Sequence, residues 1–159
     1  MRILLTLMFL WPAASLADFT RYYPDTKPFL QEDLRLPYLP LVDDLVTGLC
    51  WTNVDEAREA IWRPLSDLRI ETARATANYI ELIVKGGRQN EKCVGHASIR
   101  LLVDAYPAGA AYSDKKPPLL SAIIAEDSQL FLSVDTLNSA VLDFTKRFMA
   151  EFVAFMNSD

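Results

Sequence analysis

A chain of 159 residues with 16 basic and 21 acidic side chains, a formal net charge of −5, is long enough to bury one real core. It lacks the clustered cations that a nucleic-acid backbone requires, because Lys115-Lys116 and Lys146-Arg147 are its only adjacent basic pairs. Nucleic acid is therefore not an expected partner, and both pairs read as solvated surface.

Arg2, the apolar run Ile3 to Trp11 and the small-residue stretch Ala13-Ala14-Ser15-Leu16-Ala17 have the layout of a cleavable secretory signal over residues 1–17. The apolar stretch is shorter than the roughly twenty residues a membrane span needs, and Pro12 interrupts it. Cleavage is expected before Asp18, with the signal as the chain's one membrane contact. That loss takes Arg2 with it and leaves 142 residues with 15 basic and 21 acidic side chains, a formal charge of −6. The expected destination is the periplasm or the secreted space.

Residues 18–40 follow as an extended arm. Pro24, Pro28, Pro37 and Pro40 forbid a long helix, while Phe19, Tyr22, Tyr23, Phe29 and Tyr38 carry more apolar area than a disordered tail would. Such an arm is expected to lie against its own domain or against another chain.

Residues 41–159 read as a single domain. Leu39 to Val46 is apolar apart from Asp43-Asp44 and is assigned to an edge strand. Thr52-Asn53 then offers a helix cap, with Asp55 or Glu56 closing a capping box. Val54, Ala57, Ile61, Leu65 and Leu68 form the apolar stripe of the helix that follows, which Pro64 should kink or end at Arg63. Beyond Leu68 the period changes to two: a short strand is expected at Ile70 to Ala75 and a better one at Tyr79 to Lys85. Gly86-Gly87 and the polar run to Lys92 read as a loop, and Val94 to Asp104 as the longest strand. Its Ala97, Ile99, Leu101 and Val103 share one face, while His96, Ser98, Arg100 and Asp104 share a wetter one.

Prolines and a glycine make 105–118 a surface linker. Leu119 to Ala125 and Gln129 to Val134 are expected to pair as a hairpin across Glu126-Asp127-Ser128. Asp135 can cap a final helix running to Met156. Leu137, Val141, Phe144, Phe148, Phe152 and Phe155 form its main stripe, and Leu142, Met149, Val153 and Met156 a second one beside it.

The element order predicts an α+β two-layer sandwich, a mostly antiparallel sheet with two helices packed on one face. In an oxidising compartment Cys50 and Cys93 are expected to form one intrachain disulfide. Cys50 precedes the first helix and Cys93 opens the long strand, so the bond would tie helix layer to sheet layer. The wide spacing of the two cysteines argues against a redox-active dithiol.

His96 is the chain's only histidine, so acid–base or nucleophilic chemistry would have to pass through it, with Ser98, Arg100 and Asp104 as neighbours. Strand neighbours two apart stand about 7 Å from each other, too far for a nucleophile–base hydrogen bond. No nucleophile elbow is present either, so no catalytic set is assigned. Cys93 and His96 fall on opposite faces of a strand, and the acidic pairs Asp43-Asp44 and Glu126-Asp127 lack calcium-loop spacing; neither a metal nor a cofactor is expected. Gly86-Gly87 beside Lys85 and Arg88 opens no helix and so makes no phosphate loop.

What remains is surplus apolar surface at Phe19, Tyr22 and Tyr23 in the arm and at Leu142, Met149, Val153 and Met156 on the last helix. The expectation is a small exported non-enzymatic module that binds another envelope or secreted protein, or a second copy of itself. The alternative is a small hydrolase or ligand-binding domain with a pocket near His96.

Overall fold

The computed structural model describes residues 34–74, 76, 78–105 and 120–158. The signal segment, Phe19, Tyr22, Tyr23, Phe29 and the linker 106–119 lie outside them. The described residues form an α+β sandwich of one four-stranded sheet and two helices. In chain order they are β1 (Leu39–Val46), α1 (Val54–Asp67), β2 (Tyr79–Gln89), β3 (Lys92–Ala105), β4 (Leu120–Val134) and α2 (Asn138–Met156).

Strand order across the sheet is β1-β2-β3-β4. The helix α1 carries the chain over the sheet from β1 to β2, and these two strands are parallel, Leu39 level with Tyr79 and Val46 with Gly86. The pairs β2–β3 and β3–β4 are antiparallel. One parallel pair within an otherwise antiparallel sheet is what a single helical crossover produces.

Both helices lie on the face that carries the alternating buried residues Ile80, Leu82 and Val84 of β2 and Ala97, Ile99 and Leu101 of β3. From α1 come Ala57, Ile61 and Leu65; from α2 come Val141, Phe144, Phe148 and Phe152. Each fully buried phenylalanine contributes on the order of 2 kcal/mol, which makes α2 the largest single contributor to the core. The end of the arm joins it: Leu34 and Tyr38 are both buried, and the Tyr38 ring meets Phe152 edge-on at 6.3 Å.

The disulfide Cys50–Cys93 is formed, with both residues buried and Cα atoms 5.7 Å apart. It joins the entry of α1 to the start of β3, the placement expected from the sequence.

Five local expectations are corrected. Gly86-Gly87 is not a loop but the interior of β2, and the β2–β3 turn falls at Asn90-Glu91, both at positive φ, 47° and 66°. Two such residues make the tight turn that matches strand twist. Gly86 instead faces Gly95 across the ladder, where a Cβ on Gly95 would come within 2.5 Å of Leu137 Cδ1; the paired glycines make room for the residue that leads into α2.

The hairpin expected at Glu126-Asp127-Ser128 is absent. β4 runs straight through, because each carboxylate finds a cation on its own side of the sheet: Glu126 lies 3.6 Å from Arg100, and Asp127 lies 3.3 Å from Arg147 of α2. Among the described residues of the segment Ile70 to Ala75, one bridge forms, Tyr38 with Thr72, and no strand. Asp135 does not cap α2, whose N-cap is Leu137; its carboxylate pairs with Lys92. Pro64 neither stops α1 nor falls in its middle. It occupies the last turn, where few hydrogen bonds remain to lose, and the helix continues to Asp67.

Candidate functional site

With both helices on one face, the opposite face of the sheet is left without a covering element among the described residues. Alternation fixes its content. Register places Leu39, Tyr79 and Leu102 in one row, with Ile123 beside Leu102; Leu41, Glu81, Arg100 and Glu126 in the next; then Asp43, Ile83, Ser98 and Ser128; then Leu45, Lys85, His96 and Leu130. One end row is thus apolar, the two middle rows are mainly polar, and the last sets Leu45 and Leu130 on either side of Lys85 and His96. Leu45 is 57% exposed, Ile123 46%, Leu130 60% and Leu132 61%.

Arg100 organises the centre. Its Nε lies 3.7 Å from Glu81 and 3.6 Å from Glu126, so one guanidinium links β2, β3 and β4 across the open face.

His96 is exposed, with Lys85 and Leu130 as its cross-strand neighbours. It borders a depression of about 480 Å³ whose wall also includes Thr47, Gly87 and Val94. Ser98, on the same face, is buried between Ile83 and Ser128. Asp104 stands level with Ser121, eight positions along β3 from His96, or roughly 26 Å of extended strand. The three residues are therefore not brought together. No carboxylate stands in register beside His96, and Arg100 is committed to its glutamates. Among the described residues no group of three potential metal ligands occurs.

The second stripe of α2 divides. Met149 and Met156 are buried in the core, which removes them from any partner surface. Leu142 and Val153 stay half-buried and line shallow clefts between α2 and α1, of about 580 Å³ beside Glu59, Pro64 and Lys146 and about 430 Å³ beside Ala60 and Leu68. The stripe needed a second neighbour, and α1 supplies most of it.

Ile123, Leu130 and Leu132 are the surface residues that sequence reasoning missed, along with Leu45. Ile123 lay in one predicted strand and Leu130 and Leu132 in the other, and the alternation Leu130, Leu132 against Gln129 and Phe131 was present in the sequence. That alternation, with the buried Phe131 marking the core side, was the available signal.

In comparisons with known proteins, no family model, no curated protein and no solved structure matches the chain. Fold and surface define a disulfide-linked α+β domain in which, among the described residues, one sheet face is covered by helices and the other is not. Among the described residues no helix is long and apolar enough to cross a membrane, and a formed disulfide fits an oxidising compartment.

Proposed function

We propose that this chain is an exported, non-enzymatic binding module that docks another envelope or secreted protein on the open face of its sheet. The observation that carries the reading is the concentration of Leu45, Ile123, Leu130 and Leu132 on the face the helices leave uncovered. Large apolar side chains exposed on one face among polar ones are a feature of protein interaction surfaces. Export is supported by the signal-like segment 1–17 and by the Cys50–Cys93 bond.

The test places a photoreactive side chain at Leu45 of the full chain in its native cell, with a second at the exposed position Ser139 on α2 as control. The expected result is one discrete adduct with an exported protein from Leu45 and none from Ser139. The purified partner should then bind the isolated chain, and Leu45→Arg should weaken that binding at least about tenfold, the scale of a lost interface anchor. Equal adducts from both positions, or an adduct partner whose binding ignores Leu45→Arg, would refute the reading. Amino-terminal sequencing of the exported chain should begin at Asp18.

A further inference from the structure

The two edges of the sheet are built differently. On β1 the edge is blunted by Pro40, which lacks an amide hydrogen. On β4, the edge at the other side, fifteen residues run from Leu120 to Val134 without a proline, a glycine or a lysine. No strand pairs with its outer side among the described residues. Its two carboxylates are turned to the inside, Glu126 to Arg100 and Asp127 to Arg147, and so do little to repel an incoming strand.

We infer that the β4 edge pairs with the β4 edge of a second copy, antiparallel about a two-fold axis through Ser128. Two constraints give the register. In an antiparallel pair, residues directly opposite point to the same face, so a two-fold axis normal to the sheet must pass through a residue. Irregularities interrupt β4 opposite Leu101/Leu102 and opposite Cys93/Gly95, leaving Ala125 to Phe131 as its regular stretch. Ser128 is the centre of that stretch.

Charge agrees with geometry. An axis at Glu126 or Asp127 would set that carboxylate against its own copy, whereas an axis at Ser128 sets Glu126 against Leu130 and Asp127 against Gln129. Within each chain Arg147 already bonds both Asp127 and Gln129, at 3.3 and 3.1 Å, so the polar pair at the seam has a cation beneath it on each side. Pairing exchanges one local bond, the Ser128 amide to Asp127 Oδ1 at 2.7 Å, for bonds to the second copy. The two open faces then join into one eight-stranded surface. This seam uses the strand edge rather than Leu45, and stands apart from binding of a different protein on the face.

The test uses the purified exported chain with its disulfide formed. Sedimentation equilibrium should give twice the mass of one chain, and Ser128→Asp, which sets like charges face to face at the axis, should return it to one. Ser128→Cys should form a covalent dimer on mild oxidation, because opposed Cα atoms in such a pair lie about 4.5–5.5 Å apart, within disulfide range. Leu130→Cys, which faces Glu126 of the other copy, should not. Leu45→Arg should leave the dimer intact. A wild-type monomer, a dimer unaffected by Ser128→Asp, or crosslinking at Leu130→Cys in preference to Ser128→Cys would each overturn the seam.

Discussion

Asn138, the first residue of α2, holds Thr52, just ahead of α1, by two reciprocal bonds: its Oδ1 accepts the Thr52 amide at 2.9 Å and its Nδ2 donates to Thr52 Oγ1 at 2.9 Å. Asn53 adds a third contact, its Nδ2 donating to the Asn138 carbonyl at 3.4 Å and to Glu56 at 2.9 Å. The entries of the two helices thus satisfy each other. Asn138→Ala should cost about 1–2 kcal/mol, since it leaves the Thr52 amide without its partner and removes a second bond besides. Urea denaturation of wild type, Asn138→Ala and Asn138→Asp checks it. The Asp variant can still accept from the amide and should recover part of the loss.

The same corner holds the disulfide. The carbonyl of Cys50 accepts the Leu137 amide at 2.7 Å, so the bond to Cys93 gathers the start of β3 and the lead-ins of both helices at one point. A bond joining residues 43 apart removes loop entropy from the unfolded chain worth about 4 kcal/mol as an upper figure. The paired variant Cys50→Ala/Cys93→Ala should lower the unfolding free energy by about 2–4 kcal/mol, and reductant should shift the wild-type midpoint while leaving the variant's unchanged. A midpoint that ignores reductant would show that the crosslink does not limit unfolding.

Much of this fold was legible because the responsible residues act locally and periodically. The stripe of phenylalanines gave α2, the two-residue alternation gave β2 and β3, and the placement of Cys50 and Cys93 gave the tie between layers. What misled were residues whose role depends on a distant partner. Gly86 looked like a loop residue until Gly95 and Leu137 came to lie beside it. Glu126 and Asp127 looked like a turn until Arg100, 26 positions before Glu126, and Arg147, 20 positions after Asp127, were found to hold them in a strand. The candidate site suffered in part from the same error, because three of its exposed residues, Ile123, Leu130 and Leu132, belong to a strand that local signals had cut in half. Met149 and Met156 were legible as apolar but not as buried, since packing against elements distant in sequence decides that.

Asp135 carries a testable pH dependence. The hydrogen bond from Lys92 first, then the charges of Lys92 and Arg88, hold its carboxyl below the usual range in the folded chain. A depressed folded value means the contribution is present above the ordinary aspartate pKa, about 3.9, and is lost as pH falls through the folded value. Lys92→Ala should therefore be slightly less stable than wild type near neutrality and equal to it in strong acid. Because Asp135 is fully exposed, added salt should shrink the neutral difference as well. Denaturation curves for both chains at neutral and acid pH, with and without salt, measure this, and a difference that persists in strong acid would assign the role of Lys92 to something other than the pair.

Tyr38 offers the opposite sign at the opposite end of the pH scale. Its backbone is fixed on both sides, the amide donating to Glu71 and the carbonyl accepting from Ala73, each at 3.0 Å, and its ring is wedged against Phe152. The phenolic oxygen is buried and meets no hydrogen-bond partner among the described residues. Burial alone pushes its pKa well above the ordinary tyrosine value. A buried hydroxyl without a partner costs about 1–3 kcal/mol, so Tyr38→Phe, which keeps the ring and removes the oxygen, should stabilise the chain by about 1 kcal/mol. In alkali the unfolded chain ionises at this position near pH 10 while the folded chain does not. Stability is therefore unaffected below that pH and falls as pH rises past it. The Phe variant lacks this component, so its advantage over wild type should widen above about pH 10. Parallel pH profiles for the two chains, or a less stable Phe variant, would mean that the Tyr38 hydroxyl has a partner in solution.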